Sequence, residues 1–379
     1  MVLVGTVIEY NENGFLAHVE NYCGAYTSGK TRAEALGKRK GEVDSVYKKW
    51  LAVVLGVLVM ACAAFFGYMY LQGKGEGERV IPVSDLSLVE PGLNLRALHQ
   101  EGYTGKGINV AIIDGPLLQE HDEYSDRLVH YEEVGVVDDY LYHGTSVASV
   151  LVGKKCGVLP EAQLHYFAVN LVDLENALRA LERLLTYNET LPPGGKIRYV
   201  NLSTGFGGQE AAFRALILKA REQGILVFTS TMPTATEPPL ALREAAYDDQ
   251  QDMNNLNSIV IGEWMDAFLK ENNMSREELV QIRQEADDEK GFINVYLPCA
   301  KRYVASPEAK DKYVYELDGG LSWATPMLTG LAGMAAQINQ GLAIDQILQL
   351  LVHSIVTNEK GLNVIDPQLL ISLARETLE

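Results

Sequence analysis

Cysteine is scarce in this sequence: there are four in 379 residues, none in a C-x-x-C pair and none beside a His-rich tract. That spacing argues against structural zinc, and no other metal or cofactor is implied. Only Cys156 and Cys299 lie beyond the long apolar run described below, and the sequence leaves open whether they pair. Basic side chains are also in short supply, with 32 Lys and Arg against 50 Asp and Glu, a formal net charge of -18. The deficit is uneven. Residues 1–50 hold 7 basic and 6 acidic side chains, a balance of +1, against 25 and 44, or -19, in the remainder. So acidic a chain argues against nucleic acid and anionic lipid as partners.

One stretch lacks charge altogether. Trp50–Leu71 (WLAVVLGVLVMACAAFFGYMYL) is long enough to cross a bilayer as a helix. It begins some fifty residues in, is too long for a signal peptide and has no small-x-small cleavage site, which favours a membrane span. Lys38, Arg39, Lys40, Lys48 and Lys49 precede it, whereas only Lys74 and Arg79, mixed with Glu76 and Glu78, follow closely. The positive-inside rule then predicts a single-pass protein of the cell membrane with a cytoplasmic N-terminus and an extracellular C-terminal part.

Four segments follow from this. Residues 1–49 read as a small α+β unit: strands over Val2–Tyr10, Phe15–Glu20 and Gly24–Thr27, then a helix from Thr31, with Glu34 at the capping-box position, to about Lys49. Residues 50–71 form the transmembrane helix, and 72–93 a linker opening with the Gly- and charge-rich QGKGEGE. Residues 94–379 form the main domain. There, predicted strands at Asn109–Ile113, His165–Val169, Tyr199–Ser203, Ile225–Thr229 and Ser258–Gly262 alternate with helices near Ser146–Leu151, Asp173–Tyr187 and Gln209–Gln223. Such alternation predicts an α/β fold, a three-layer α/β/α sandwich around a mostly parallel sheet. Residues 238–291 read as an irregular acidic insertion, a solvated surface element with a helix capped by Ser275 and Glu278.

Three short segments carry the chemistry. VAIIDGP places Asp114 at the end of an apolar strand. HGTSVA places His143 before a small-residue helix, and GLSWATP places Ser322 at the opening of another, with Pro326 in its first turn. A hydroxyl needs a base near neutrality to attack an amide, and histidine is that base; a carboxylate fixes its tautomer and stabilises the imidazolium. Asp114, His143 and Ser322 are therefore the candidate catalytic residues. A helix N-terminus under Ser322 adds a backbone N–H and a favourable dipole for a developing oxyanion.

The order Asp, His, Ser and these flanks resemble the subtilisin-like serine peptidases, and NLRALHQEGYTGKGINVAIIDG resembles the start of their mature domain, a likeness that runs to about Leu351. The resemblance implies a serine endopeptidase acting on a peptide or protein substrate. It also implies that Ser203, Thr204 and Gly205, in YVNLSTGFGG, pair through their backbone with an extended peptide as an added strand. His121 matches a non-catalytic histidine of the family, and the shortened Val152–Gly157 stretch implies no calcium. Separately, ENGFLAHV…CGAYTSGKTRAEAL resembles HicB-type antitoxin domains. Residues 1–49 are thus either such a unit, with a cytoplasmic partner, or an unspecialised cap.

Three departures weaken the family pattern, one of them Asp114-Gly115-Pro116 where Asp-Thr-Gly or Asp-Ser-Gly is usual. The family supplies an oxyanion donor from an Asn after a strand, where this chain reads VFTSTMPTATE, and Leu321 stands where a Thr is usual. Losing one such donor removes about 2.7–4 kcal/mol of transition-state stabilisation. Hydroxyls of Thr229, Ser230, Thr231 or Thr234 are the expected replacements, with Thr231 and Thr234 the candidates singled out. The alternative reading is a weak or inactive pseudopeptidase that binds a peptide or partner protein without turnover.

Overall fold

Val110-Ala111-Ile112-Ile113 is too apolar to leave either face of a strand in water, so both faces must be covered. They are. The computed structural model describes residues 6–11, 14–19, 26–29, 79–81 and 83–378, apart from 138–139, 207, 231–238, 249–251 and 318. Two compact units are present, Met1–Gly77 and Glu78–Glu379. In the first, Thr6–Asn11 (β1), Gly14–Val19 (β2) and Tyr26–Gly29 (β3) form an antiparallel sheet in the order β1-β2-β3. The expected helix from Thr31, the span Trp50–Leu71 and the QGKGEGE linker lie outside the described residues. Among the described residues no helix is long and apolar enough to cross a membrane.

The second unit opens with Arg79–Ile81 (β4) and the short helix Leu95–Gln100 (α1). Its first large sheet is wholly parallel. Asn109–Asp114 (β5) lies at the centre, flanked by Leu128–Val134 (β6), Gln163–Val169 (β7), Tyr199–Leu202 (β8) and Leu226–Thr229 (β9) in the order β6-β7-β5-β8-β9. On one face Ala111 and Ile113 pack with Ala177 and Leu184 of Leu174–Thr190 (α3) and Phe213 of Glu210–Glu222 (α4). On the other, Val110 and Ile112 share a core with Val147 and Leu151 of Tyr142–Val152 (α2) and with Met327 and Leu331 of Leu321–Ile338 (α7). This is the expected helix–sheet–helix layering.

A second sheet departs from expectation. Its order is β11-β10-β12-β16-β15, built from Leu240–Tyr247 (β10), Ile259–Val260 (β11), Ile293–Ala300 (β12), Ile355–Thr357 (β15) and Asn363–Ile365 (β16). The stretch expected to be irregular surface thus contributes a buried strand, β10, parallel to β12. Arg243 and Glu244 interrupt the apolar runs Leu240–Leu242 and Ala245–Tyr247 and hide the strand from a hydropathy reading. Asp287 takes Arg243 in a two-pronged pair, and the N–H of Leu321 takes Glu244. The predicted Ser258–Gly262 strand is only two residues long and runs antiparallel at the edge of β10. Asp266–Glu271 (α5) and Arg276–Asp288 (α6) complete this region, and α6 carries the expected capping box, Ser275 with Glu278. Arg302–Ala305 (β13) and Tyr313–Glu316 (β14) join β4 in a small antiparallel sheet. The long helix α7 packs against α2, β8, β9, β10 and β12, so its N-terminus is held by both large sheets.

Candidate active site

Asp114 ends β5 fully buried. Its Oδ1 accepts the N–H of Gly115 at 2.7 Å and faces His143 Nδ1 at 2.6 Å. A carboxylate opposite Nδ1 fixes the proton there and leaves the Nε2 lone pair as the base. Asp114 Oδ2 is buried with no partner among the described residues, so the imidazole is the main group across which the carboxylate spreads its charge. Burial by itself would lower the pKa of His143; the charge and hydrogen bond of Asp114, with a smaller contribution from Glu316, hold it above the ordinary 6.5.

The His-Gly-Thr triplet has a packing reason. His143 is the second residue of α2, in its first turn rather than ahead of it. A β-carbon at Gly144 would overlap the carbonyl oxygens of Gly115 and Pro116, so only glycine lets α2 approach the turn after Asp114. Thr145 Oγ1 then accepts the N–H of Leu118 at 2.9 Å, pinning that turn to the helix. Next to His143, Tyr142 donates its hydroxyl to Glu316 Oε2 at 2.5 Å.

Ser322 is the second residue of α7, after Gly320 as N-cap. Gly319 approaches the carbonyl of Cys299 too closely for any side chain. Pro326 falls sixth in the helix, not in its first turn as expected. Proline has no N–H, so the carbonyl four residues earlier, that of Ser322, loses its helical partner. Ser203, just beyond β8, replaces it: Ser203 Oγ donates to Ser322 O at 2.8 Å. In return Ser322 Oγ donates to Ser203 O at 3.2 Å. The ring of Trp323 stands edge-on to that of His143, with centroids 5.4 Å apart, which brings the first turn of α7 up to the imidazole.

The structure therefore gathers Asp114, His143, Ser322 and Ser203 in one place. Thr204 is half-buried and Gly205 exposed immediately beyond. Thr231 and Thr234 lie outside the described residues. His121 is structural in its contacts: Nε2 meets the Lys312 carbonyl at 3.0 Å and Nδ1 accepts the N–H of Glu123 at 3.2 Å. Cys156 and Cys299 are both free and buried.

Comparison with known proteins decides the family. The Subtilase family matches residues 105–367, more than half of the chain. The chain belongs to the subtilase family. Membrane-bound transcription factor site-1 protease of Homo sapiens is 30% identical over 107 residues, 27% of this chain and 10% of that protein, so the chain spans only about a tenth of that relative's length. Among solved structures, the A-subunit of the AB5 toxin from E. coli superposes with a TM-score of 0.54 at 14% identity, covering 75% of this chain and 98% of that one. A structure of the subtilase cytotoxin assembly gives 0.54 at 14% identity, covering 76% and 96%. These two likenesses are likenesses of fold.

The subtilase motif reading missed two carboxylates beside the site. Glu316 sits on β14, a strand the motifs do not touch. Glu244 Oε1 accepts the N–H of Leu321 at 3.2 Å, one residue before Ser322. The signal for Glu244 was an isolated charged pair inside an otherwise apolar eight-residue run.

Proposed function

We propose that this subtilase domain is a serine endopeptidase. Ser322 Oγ attacks the scissile carbonyl, and His143 Nε2 takes its proton and passes it to the leaving amine. Asp114 holds the imidazole tautomer, and water then hydrolyses the acyl-enzyme. The observation that carries the reading is the 2.6 Å contact between Asp114 Oδ1 and His143 Nδ1, which orients a basic Nε2. For this chemistry the Ser322 hydroxyl has to leave the Ser203 carbonyl, to which it donates at 3.2 Å, and turn to the imidazole. An extended peptide is proposed to lie along Ser203, Thr204 and Gly205, bonded through its main chain. Thr231 and Thr234 remain the proposed hydroxyl donors to the oxyanion, beside the Ser322 N–H.

A second reading has an observation of its own. The Ser322 hydroxyl is engaged by the Ser203 carbonyl, the arrangement expected of a fold that binds peptide without turnover. Fluorophosphonate labelling of the full chain, compared with Ser322→Ala, separates the two. Labelling that vanishes in the variant supports the peptidase; a wild type that resists the reagent supports the pseudopeptidase. The Lys/Arg asymmetry around Trp50–Leu71 further supports a membrane-anchored chain with the peptidase domain outside. External protease added to intact cells should digest the C-terminal part and spare residues 1–49; a protected C-terminal part would reverse the orientation.

A further inference from the structure

The first turn of α7 is bracketed. On one side Ser203 makes two hydrogen bonds to Ser322; on the other Glu244 reaches from β10 to the N–H of Leu321. A peptide with its reactive carbonyl over Ser322 and its main chain along Ser203–Gly205 therefore has Glu244 across the helix terminus from its backbone. Adjacent Cα atoms are about 3.8 Å apart, so this carboxylate stands within one long side chain of the scissile bond.

Among the described residues the carboxylate makes no salt bridge. It is half-buried, and among the described residues its one hydrogen bond is that from Leu321. Among the described residues no basic group pairs with it. Arg243, its neighbour in sequence, is committed to Asp287 through bonds of 2.6 and 3.2 Å, and Arg283 turns its guanidinium to Met265 Sδ at 3.9 Å. Burial accordingly pushes its pKa up, against the opposing effects of the Leu321 N–H and the two arginines. A half-buried carboxylate without a counter-ion favours any ligand that brings one. Lysine and arginine suit the place, since each carries its charge at the end of a long apolar stem.

We propose that Glu244 is a specificity-determining residue that selects a lysine or arginine on the acyl side of the bond cleaved. The inference rests on the peptidase reading above, and its test is arranged so that the two fail separately. Glu244→Gln keeps an oxygen to accept the Leu321 N–H and removes only the charge. The full chain, assayed on peptides that differ solely at the acyl-side residue, is expected to prefer Lys and Arg. Glu244→Gln should lose about 100-fold in kcat/KM on those peptides and little on their norleucine counterpart. Equal losses on all peptides, or a wild type indifferent to the basic residue, would overturn the proposal and leave Glu244 as a helix cap. Should the Gln variant fail to fold, Glu244→Asp withdraws the carboxylate by one methylene and should shift preference from Lys towards the longer Arg; an unshifted ratio would count against the assignment. Should no Ser322-dependent turnover exist, the peptidase reading fails alone. Ser322→Ala should then still bind a lysine-terminated peptide more tightly than the norleucine one, and adding Glu244→Gln should erase the difference; equal binding from the start would overturn the inference.

Discussion

The two halves of the site are fixed by different means. Asp114 and His143 are locked by their own chemistry: one carboxylate oxygen serves both the Gly115 N–H and the imidazole, and the turn after Asp114 is clamped by Gly144 and Thr145. Ser322 is held through its carbonyl rather than its hydroxyl, because Pro326 withholds the helical N–H and Ser203 supplies a substitute. On the proposed mechanism the acid–base half is thus preformed, while the Ser322 hydroxyl rests on a neighbouring carbonyl that it would have to leave. That mechanism would then place the demand for reorganisation within these residues on Ser322.

The largest effect should come from breaking the preformed half. Asp114→Asn keeps the shape but inverts the donor–acceptor pattern at Nδ1, so kcat should fall about 10⁴-fold with KM little altered. Steady-state kinetics on a cleaved peptide checks this. A fall of less than tenfold would mean that His143 does not need its carboxylate and that the halves are less distinct than their contacts suggest. Gly144→Ala attacks the clamp instead. Its methyl would have to displace the Gly115 and Pro116 carbonyls, an overpacking that typically costs about 1–3 kcal/mol, readable by urea denaturation. An unchanged midpoint would show that α2 can retreat from the Asp114 turn.

How much of this was legible in the sequence follows the same division. Asp114, His143 and Ser322 stand out in the sequence because each sits in an apolar or small-residue setting, and the parallel sheet was legible because β5, β7, β8 and β9 are mostly apolar runs. Strand β10 escaped because Arg243 and Glu244 break its hydropathy. Their partners, Asp287 and the Leu321 N–H, lie 44 and 77 residues away in sequence, where no local pattern reaches. Pro326 was read as a first-turn proline; only its offset of four from Ser322 discloses that it frees a carbonyl. The pairing of Ser203 with that carbonyl joins two segments 119 residues apart and could not be read locally.

The tether on Ser322 is open to a sharper trial. Ser203→Ala should leave the Ser322 carbonyl without its partner and cost about 1–3 kcal/mol by denaturation. Pro326→Ala restores an N–H at the position from which a helix normally serves that carbonyl. In the double variant the loss should be smaller than the sum of the single effects, with a coupling of about 1 kcal/mol. Strict additivity would show that Ser203 and Pro326 do not act on the same carbonyl.

The smallest effect belongs to the residue behind the base. His143 must be neutral to accept a proton, so activity should fall as pH drops through its pKa, and Asp114 and Glu316 hold that pKa above 6.5. The acid limb of kcat/KM should therefore be centred on the alkaline side of 6.5. Protonated His143 is also the form that Asp114 and Glu316 stabilise in the fold, so this stabilisation is present at low pH and is lost as pH rises through the raised pKa. Glu316→Gln removes one of the two negative charges while still offering Tyr142 an acceptor. The limb should then move to lower pH, the plateau rate changing little. Stability at acid pH should drop slightly relative to neutral pH, because the imidazolium has lost a favourable neighbour. A limb that stays in place, or moves upward, would show that Glu316 acts on the imidazole through packing rather than charge, and that Asp114 alone sets the base.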